Sequence, residues 1–315
     1  MLLKDISFII PVYNRPNEID ELLKSFANME GKKDFEIIII EDGSTKKCDL
    51  IAKNHNNLNI EYHYKKNSGP GDSRNFGMKK AKGEYFVILD SDVIIPKNYS
   101  KILIKNLNDN FSDCFGGVDD SHNSFNNFQK AVSFSMTSFI TTGHVRGGRK
   151  SKDFQPRSFN MGISKEAFLK SKGFGKIHPG EDPELSIRLK KLGFTTKLYN
   201  NLKVFHKRRI SVSGFLSQVY KFGVARSILN NRYPETRKII YWFPVFFSFF
   251  FLISAILYLF NINNLIFILF MSYLTFVLIQ SSLKHNIFVG FLSVITTLIQ
   301  FMGYGYGFIK SLILI

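Results

Sequence analysis

Before residue 239 the chain alternates short, largely apolar runs with stretches whose apolar positions recur every three or four residues. Residues 6–10 and 35–40 are apolar runs of the kind found in strands buried on both faces. Between them, residues 15–29 carry Ile19, Leu22, Leu23 and Phe26 at helical spacing, opened by Pro16 and Asn17. A helix is expected over 46–56 and a strand over 59–64. Gly69-Pro70-Gly71-Asp72 then punctuates the chain before a helix over 73–81 and a further apolar run at 84–89. Strand and helix in alternation predict an α/β fold, a mostly parallel sheet with helices on both faces.

The pattern loosens over 119–158, which is rich in Asn, Ser, Gly, Lys and Arg, and residues 144–157 read as a long basic loop. It returns at 160–173, in a helix over 181–192 carrying Leu185, Ile187, Leu189 and Leu192, and in a short strand at 203–205. Residues 211–231 set Phe215, Leu216, Val219, Phe222 and Leu229 around Lys221 and Arg226. Two readings stay open there: a helix lying on anionic lipid, or one packed into the protein.

From 239 onward the pattern changes class. Residues 239–260, 265–283 and 287–309 are uncharged and near the ~20 apolar residues that cross a bilayer. Gly303, Gly305 and Gly307 fall inside the third, where close helix packing accounts for them. Residues 203–238 hold nine Lys or Arg against the one acid Glu235, and Lys284 lies between the second and third segments. Basic loops stay inside, so the head is expected in the cytoplasm, anchored in the inner membrane by three spans. The first apolar stretch is too short for a secretory leader and reads as a strand. The expected organisation is a catalytic domain at 1–210, a basic interfacial segment at 211–238 and a membrane region at 239–315.

The formal charge is +17, and residues 239–315 contain no acid and only Lys284 and Lys310. The first 238 residues therefore hold 40 basic and 25 acidic side chains. That surplus suits membrane lipids, and no nucleic-acid partner is expected. Cys48 and Cys114 lack metal-type spacing and are expected to stay reduced.

The run EYFVILDSD breaks from an apolar strand into Asp90 and Asp92, one residue apart. Carboxylates at the carboxyl end of a buried parallel strand sit where open α/β sheets bind ligands, and they can hold a hard divalent cation. Glu181-Asp182 opens a periodic helix behind Gly180. Acids there suit helix capping and the dipole equally well.

Five ordered segments carry a resemblance: residues 7–15 (SFIIPVYNR), 37–44 (IIIIEDGS), 68–92, 160–194 (with HPGEDPELSIRL) and 204–209 (VFHKRR). Together they resemble the family-2 glycosyltransferases of GT-A fold. The resemblance implies a nucleotide-diphospho-sugar donor laid across Pro11, Tyr13 and Asn14, with its base on Asp42. Asn14 and Asp42 also suit turn and cap roles. Gly69, with Gly71, would let the backbone approach closely, and Arg74, Asn75, Asp90 and Ser91 would contact the donor. Asp92 is implied as direct ligand to Mg2+ or Mn2+, with Asp90 in support. His206 would complete the metal or diphosphate site, or be an ordinary surface histidine. Asp182 is implied as the general base, supported by Glu181, in a single displacement with inversion.

One departure bears on the product. Polymerising relatives carry Q-x-x-R-W before the membrane, whereas this chain has Gln218-Val219-Tyr220-Lys221-Phe222. Transfer of one sugar to a lipid-linked or glycan acceptor in cell-surface glycan synthesis is therefore expected. A polyprenyl-phosphate glycosyltransferase, a processive synthase and an inactive nucleotide-binding scaffold are the alternatives.

Overall fold

The computed structural model describes residues 1–120, 125–142, 154–206 and 211–314. The loop expected at 144–157 lies outside these up to residue 153, as do Lys207, Arg208 and Arg209. In chain order the elements begin with β1 (Ile6–Val12), α1 (Pro16–Ala27), β2 (Glu36–Asp42), α2 (Asp49–Asn54), β3 (Ile60–Lys65) and α3 (Pro70–Lys80). Next come β4 (Tyr85–Leu89), β5 (Val93–Ile94), α4 (Tyr99–Asp109), β6 (Cys114–Asp120), α5 (Asn127–Thr137) and α6 (Phe139–Thr142). They continue with β7 (Asn160–Ser164), α7 (Lys165–Ser171), α8 (Glu181–Lys191), β8 (Thr196–His206) and α9 (Val212–Arg232). The chain ends in α10 (Phe243–Leu259), α11 (Leu265–Lys284) and α12 (Ile287–Leu314). The described residues form two compact units: 1–120 with 154–206, and 125–142 with 211–314.

The first unit is one eight-stranded sheet in the order β3-β2-β1-β4-β7-β6-β8-β5. β3, β2, β1 and β4 run parallel, as do β6 and β8. β7 enters antiparallel between β4 and β6, and β5 pairs antiparallel with β8, so the sheet is mixed. The period-two pleat sorts side chains onto two cores. Ile6, Phe8 and Ile10 join Leu22 and Phe26 of α1 on one face, where Phe8 meets Phe26 edge-on at 4.9 Å. Ile9 and Ile38 face the other way, onto Met78 of α3, Phe168 of α7 and Leu185 of α8. Strands buried on both faces explain why β2 reads IIII rather than alternating. Gly77 lets α3 lie flat on the sheet, since a Cβ there would come within 2.5 Å of Ile40 and 2.7 Å of Ile9.

Two strands run beyond or against their sequence signal. β8 spans Thr196–His206, far longer than the 203–205 expected, because its exposed Asn200 and Asn201 break the apolar run. β6 contains Gly116 and Gly117, poor strand formers, yet a Cβ at Gly117 would lie 2.0 Å from Asn160. Cys48 and Cys114 are both buried and unbridged.

The second unit is helical. Three helices, Ile239–Leu259, Leu265–Lys284 and Ile287–Leu314, are long and apolar enough to cross a membrane, with mean hydropathies of 2.2, 2.0 and 1.8. One face of α9 buries Phe215 and Val219 with Val132 and Met136 of α5, so the packed reading describes that face. Ser135 of α5 bonds Thr296 of α12 at 2.8 Å. Glycines set the α9–α12 distance: a Cβ at Gly223 would meet the Tyr304 carbonyl at 2.1 Å, and one at Gly307 the Tyr220 carbonyl at 2.2 Å.

Gly223→Leu should therefore separate α9 from α12 and cost about 1–3 kcal/mol or more by overpacking. Thermal unfolding of the detergent-solubilised protein should show a lower midpoint; an unchanged midpoint would mean the helices do not pack at this distance.

Candidate active site

The first group forms where β4 ends. Asp90 and Asp92 follow Leu89, and the two-residue pairing of β5 with β8 sets Val93 opposite His206. His206 Nε2 thereby lies 3.2 Å from Asp92 Oδ1, and one ligand atom from each of Asp90, Asp92 and His206 falls within 4.8 Å of the others. Phe159 stacks on the His206 ring at 5.1 Å, fixing its plane. Arg15 pairs with the other oxygen of Asp92. Burial disfavours the Asp92 charge, but His206 and Arg15 outweigh it and hold this carboxyl well below the usual range. Burial likewise opposes a charged His206, and Asp92 reverses that, raising its pKa. Two carboxylates and an imidazole suit Mg2+ or Mn2+, so the residues fit the cation the sequence implied.

The second group opens α8. Gly180, at φ 120°, turns the chain so that Glu181 and Asp182 begin the helix. Glu181 accepts from the Gly180 amide at 3.0 Å and contacts His178 Nδ1 at 3.2 Å. Burial pushes its pKa up, but the His178 bond and Arg74 prevail and lower it to about 2. Asp182 differs: burial dominates over the opposing Arg74 charge, Glu181 adds repulsion, and its pKa is raised. Ser158 donates to Asp182 Oδ2 from its amide at 3.0 Å and its hydroxyl at 3.1 Å. Adjacent carboxyls pushed in opposite directions are the pattern of an acid–base site.

Arg74 of α3 joins the groups. Its side chain is 6% exposed, and Nη2 donates to Asp90 at 2.9 Å while Nη1 lies 3.3 Å from Glu181 and 3.8 Å from Asp182.

The nucleotide-binding candidates are held by separate local bonds. Asp42 accepts from the amides of Ser68 at 3.0 Å and Gly69 at 2.9 Å, and from Lys65 at 2.5 Å. Gly69, at φ 93°, permits that turn. Asn14 Oδ1 takes the Thr45 and Lys46 amides at 2.8 and 3.0 Å, so its side chain fastens the loop after β2 rather than capping α1. Pro11 lies within β1, Tyr13 is 53% exposed and Ser91 is buried. Asn75 is bonded at both ends of its amide to the Phe174 backbone.

Residues 7–171, just over half of the chain, match the Glycosyl transferase family 2 profile. The chain belongs to that family. An uncharacterized glycosyltransferase of Rickettsia conorii is 44% identical over 106 residues, 33% of this chain and 17% of that protein. The poly(ribitol-phosphate) β-N-acetylglucosaminyltransferase TarS of Staphylococcus aureus is 36% identical over 111 residues, 34% of this chain and 19% of its own length. The chain thus matches less than a fifth of either relative. A TarS crystal structure with UDP-GlcNAc shares the fold at TM-score 0.50 and 22% identity, covering 71% of this chain and 66% of that one. The mannosyltransferase PcManGT of Pyrobaculum calidifontis, in complex with GDP-Man and Mn2+, does so at TM-score 0.62 and 15% identity, covering 98% and 87%. The fold is the GT-A type the sequence implied.

In this family-2 chain Asp182 and His206 lie beyond the matched residues. Four further participants escaped sequence reasoning. Arg15 stood inside a quoted motif without a role; Ser158 and His178 carried no spacing signal. Glu184, 1% exposed, pairs with Arg188 through two 2.8 Å bonds, and Arg188 also holds the Gly173 carbonyl, fastening α8 to the end of α7.

Asp92→Ala should weaken Mn2+ binding measured by calorimetry at least tenfold, and an unchanged affinity would remove Asp92 from the metal site. Arg74→Met should cost about 3–5 kcal/mol by stranding buried carboxylates. Glu181, with its lowered pKa, stabilises fully above about pH 4.3, the ordinary Glu value, and loses this as pH falls toward about 2. The stability deficit of the Arg74→Met protein should therefore be largest near neutral pH and shrink as pH falls toward about 2, measured by urea unfolding at a series of pH values.

Proposed function

We propose that this protein is a metal-dependent, inverting glycosyltransferase. It moves one sugar from a nucleotide diphosphate to a membrane-associated, lipid-linked acceptor in cell-surface glycan synthesis. The observation that carries this reading is the buried guanidinium of Arg74, bonded to Asp90 on one side and Glu181 on the other. It ties a cation-binding group to an acid–base group at one site.

Asp90, Asp92 and His206 would hold Mg2+ or Mn2+, which when bound neutralises the diphosphate leaving group. Arg15 and Arg74 bring further positive charge to the same carboxylates. An acceptor hydroxyl attacks poorly until a base takes its proton as the new bond forms. Asp182 takes that proton; the acceptor oxygen bonds the anomeric carbon while the carbon–phosphate-oxygen bond breaks on the opposite face. Configuration inverts. A raised pKa makes Asp182 a stronger base than an ordinary aspartate while leaving it ionised above that pKa.

UDP-GlcNAc in TarS and GDP-Man in PcManGT support a nucleotide-sugar donor. The three apolar helices support membrane anchoring, and the basic residues at 221–238 support a cytoplasmic head on the inner membrane, in contact with membrane lipids. Within the second unit an apolar cavity of about 220 Å³, lined by Phe222, Phe243, Phe301 and others, suits a hydrocarbon chain and supports a lipid-linked acceptor.

The test begins with thermal stabilisation by UDP-, GDP- and dTDP-sugars with Mn2+, then assays transfer from the stabilising donors to extracted membrane lipids. Binding without turnover would favour the inactive scaffold. Asp182→Asn should abolish transfer and leave donor affinity within about threefold. With wild type, kcat/KM should rise with pH through a pKa above the ordinary Asp value of about 3.9, because the base must be deprotonated. A flat profile on the acid side would remove the base assignment.

A further inference from the structure

We propose that Ser158 is the positioning residue of the general base. It holds Oδ2 of Asp182 so that Oδ1 is the atom that receives the acceptor's proton. This deepens the reading above and rests on Asp182 being the base.

The geometry is asymmetric between the two oxygens. Oδ2 accepts two hydrogen bonds, from the Ser158 amide at 3.0 Å and its hydroxyl at 3.1 Å. Oδ1 is buried and has no hydrogen-bond partner; Arg74 Nη1 lies 3.8 Å away, beyond bonding distance. A carboxylate oxygen accepts about two bonds, so Oδ2 is saturated and Oδ1 keeps both lone pairs. Hydrogen bonds to an anion withdraw its charge, which leaves Oδ1 the more basic oxygen. Two donors from one residue also fix the carboxylate's rotation, a torsion that is otherwise broad.

Ser158 can do this because it is itself held. It is 5% exposed and stands two residues before β7, whose Asn160 bonds Tyr99 at 2.7 Å and the Leu202 carbonyl at 3.1 Å. The base on α8 is thus oriented from the strand inserted at the sheet's centre. The charged groups facing Asp182 are Arg74 of α3, its neighbour Glu181 on α8, and Arg157 on the segment leading to β7. The buried Cys114 thiol of β6 also feels it.

Ser158→Ala keeps the amide donor and removes the hydroxyl, so the fold is retained and one of two bonds is lost. In the full-length, detergent-solubilised protein, kcat for transfer from the stabilising nucleotide sugar should fall about tenfold, the worth of one charge-assisted hydrogen bond, with donor KM unchanged. The acid limb of the pH profile should move to higher pH, since the anion has lost a donor. Ser158→Thr, which restores a hydroxyl, should recover both. An independent readout is the carboxyl titration of Asp182 by difference infrared spectroscopy against Asp182→Asn, which needs no substrate. It should shift upward in Ser158→Ala and return in Ser158→Thr. If Asp182→Asn is inactive while Ser158→Ala keeps wild-type kcat and titration, the positioning role is wrong and the base stands. If Asp182→Asn remains active, the base reading itself fails. A fall in melting temperature with an unmoved titration would reduce Ser158 to a structural contact and overturn the proposal.

Discussion

A buried guanidinium needs carboxylates, and buried carboxylates need a cation; everything at this site follows from Arg74 satisfying both demands. It sits at 6% exposure with Asp90, Glu181 and Asp182 within 4 Å. Isolated, each of these charges would be expensive to bury. Together they form a network whose members come from α3, the end of β4 and the start of α8, with Arg74 and Glu181 standing 107 residues apart in the chain. The arginine's planar fork matters because it offers donors in two directions at once, which a lysine ammonium on a flexible stem does not fix.

The sheet supplies the positions. Parallel β1, β2 and β4 end on the same edge, so residues following each of them gather there. Asp42 and Asn14 brace the loops on that edge through backbone amides, giving the nucleotide-binding candidates a rigid bed. β5 contributes only two residues, yet their pairing with β8 is what carries His206 to Asp92. A short strand can have a large effect when its register decides which side chain faces which.

The elements that sequence reasoning located best were those whose pattern comes from burial on both faces. β1, β2 and β4 are continuous apolar runs, and α1 has four apolar residues at helical spacing, so each is legible locally. β6 and the first part of β8 were missed because their strand character is imposed by neighbours: Gly116 and Gly117 are selected by what packs over them. At the site, paired carboxylates and a family resemblance led to Asp90, Asp92, Glu181, Asp182, His206 and Arg74, and the structure brings all six together. Arg15, Ser158 and His178 were opaque for the opposite reason. A serine or histidine that orients another side chain has no periodicity and no composition signal, and only three-dimensional proximity reveals it.

β7 is the shared partner of β4 and β6, yet it is built from residues 160–164, after the chain has passed through α5 and α6 of the other unit. During synthesis β4 must therefore wait, with one row of amides and carbonyls unpaired, until β7 has emerged. An open strand edge of five buried apolar residues is a template for other chains. The open edge of the first unit is thus closed by a strand that follows an excursion through the second, and the residues bordering Ser158 are the ones that complete the sheet.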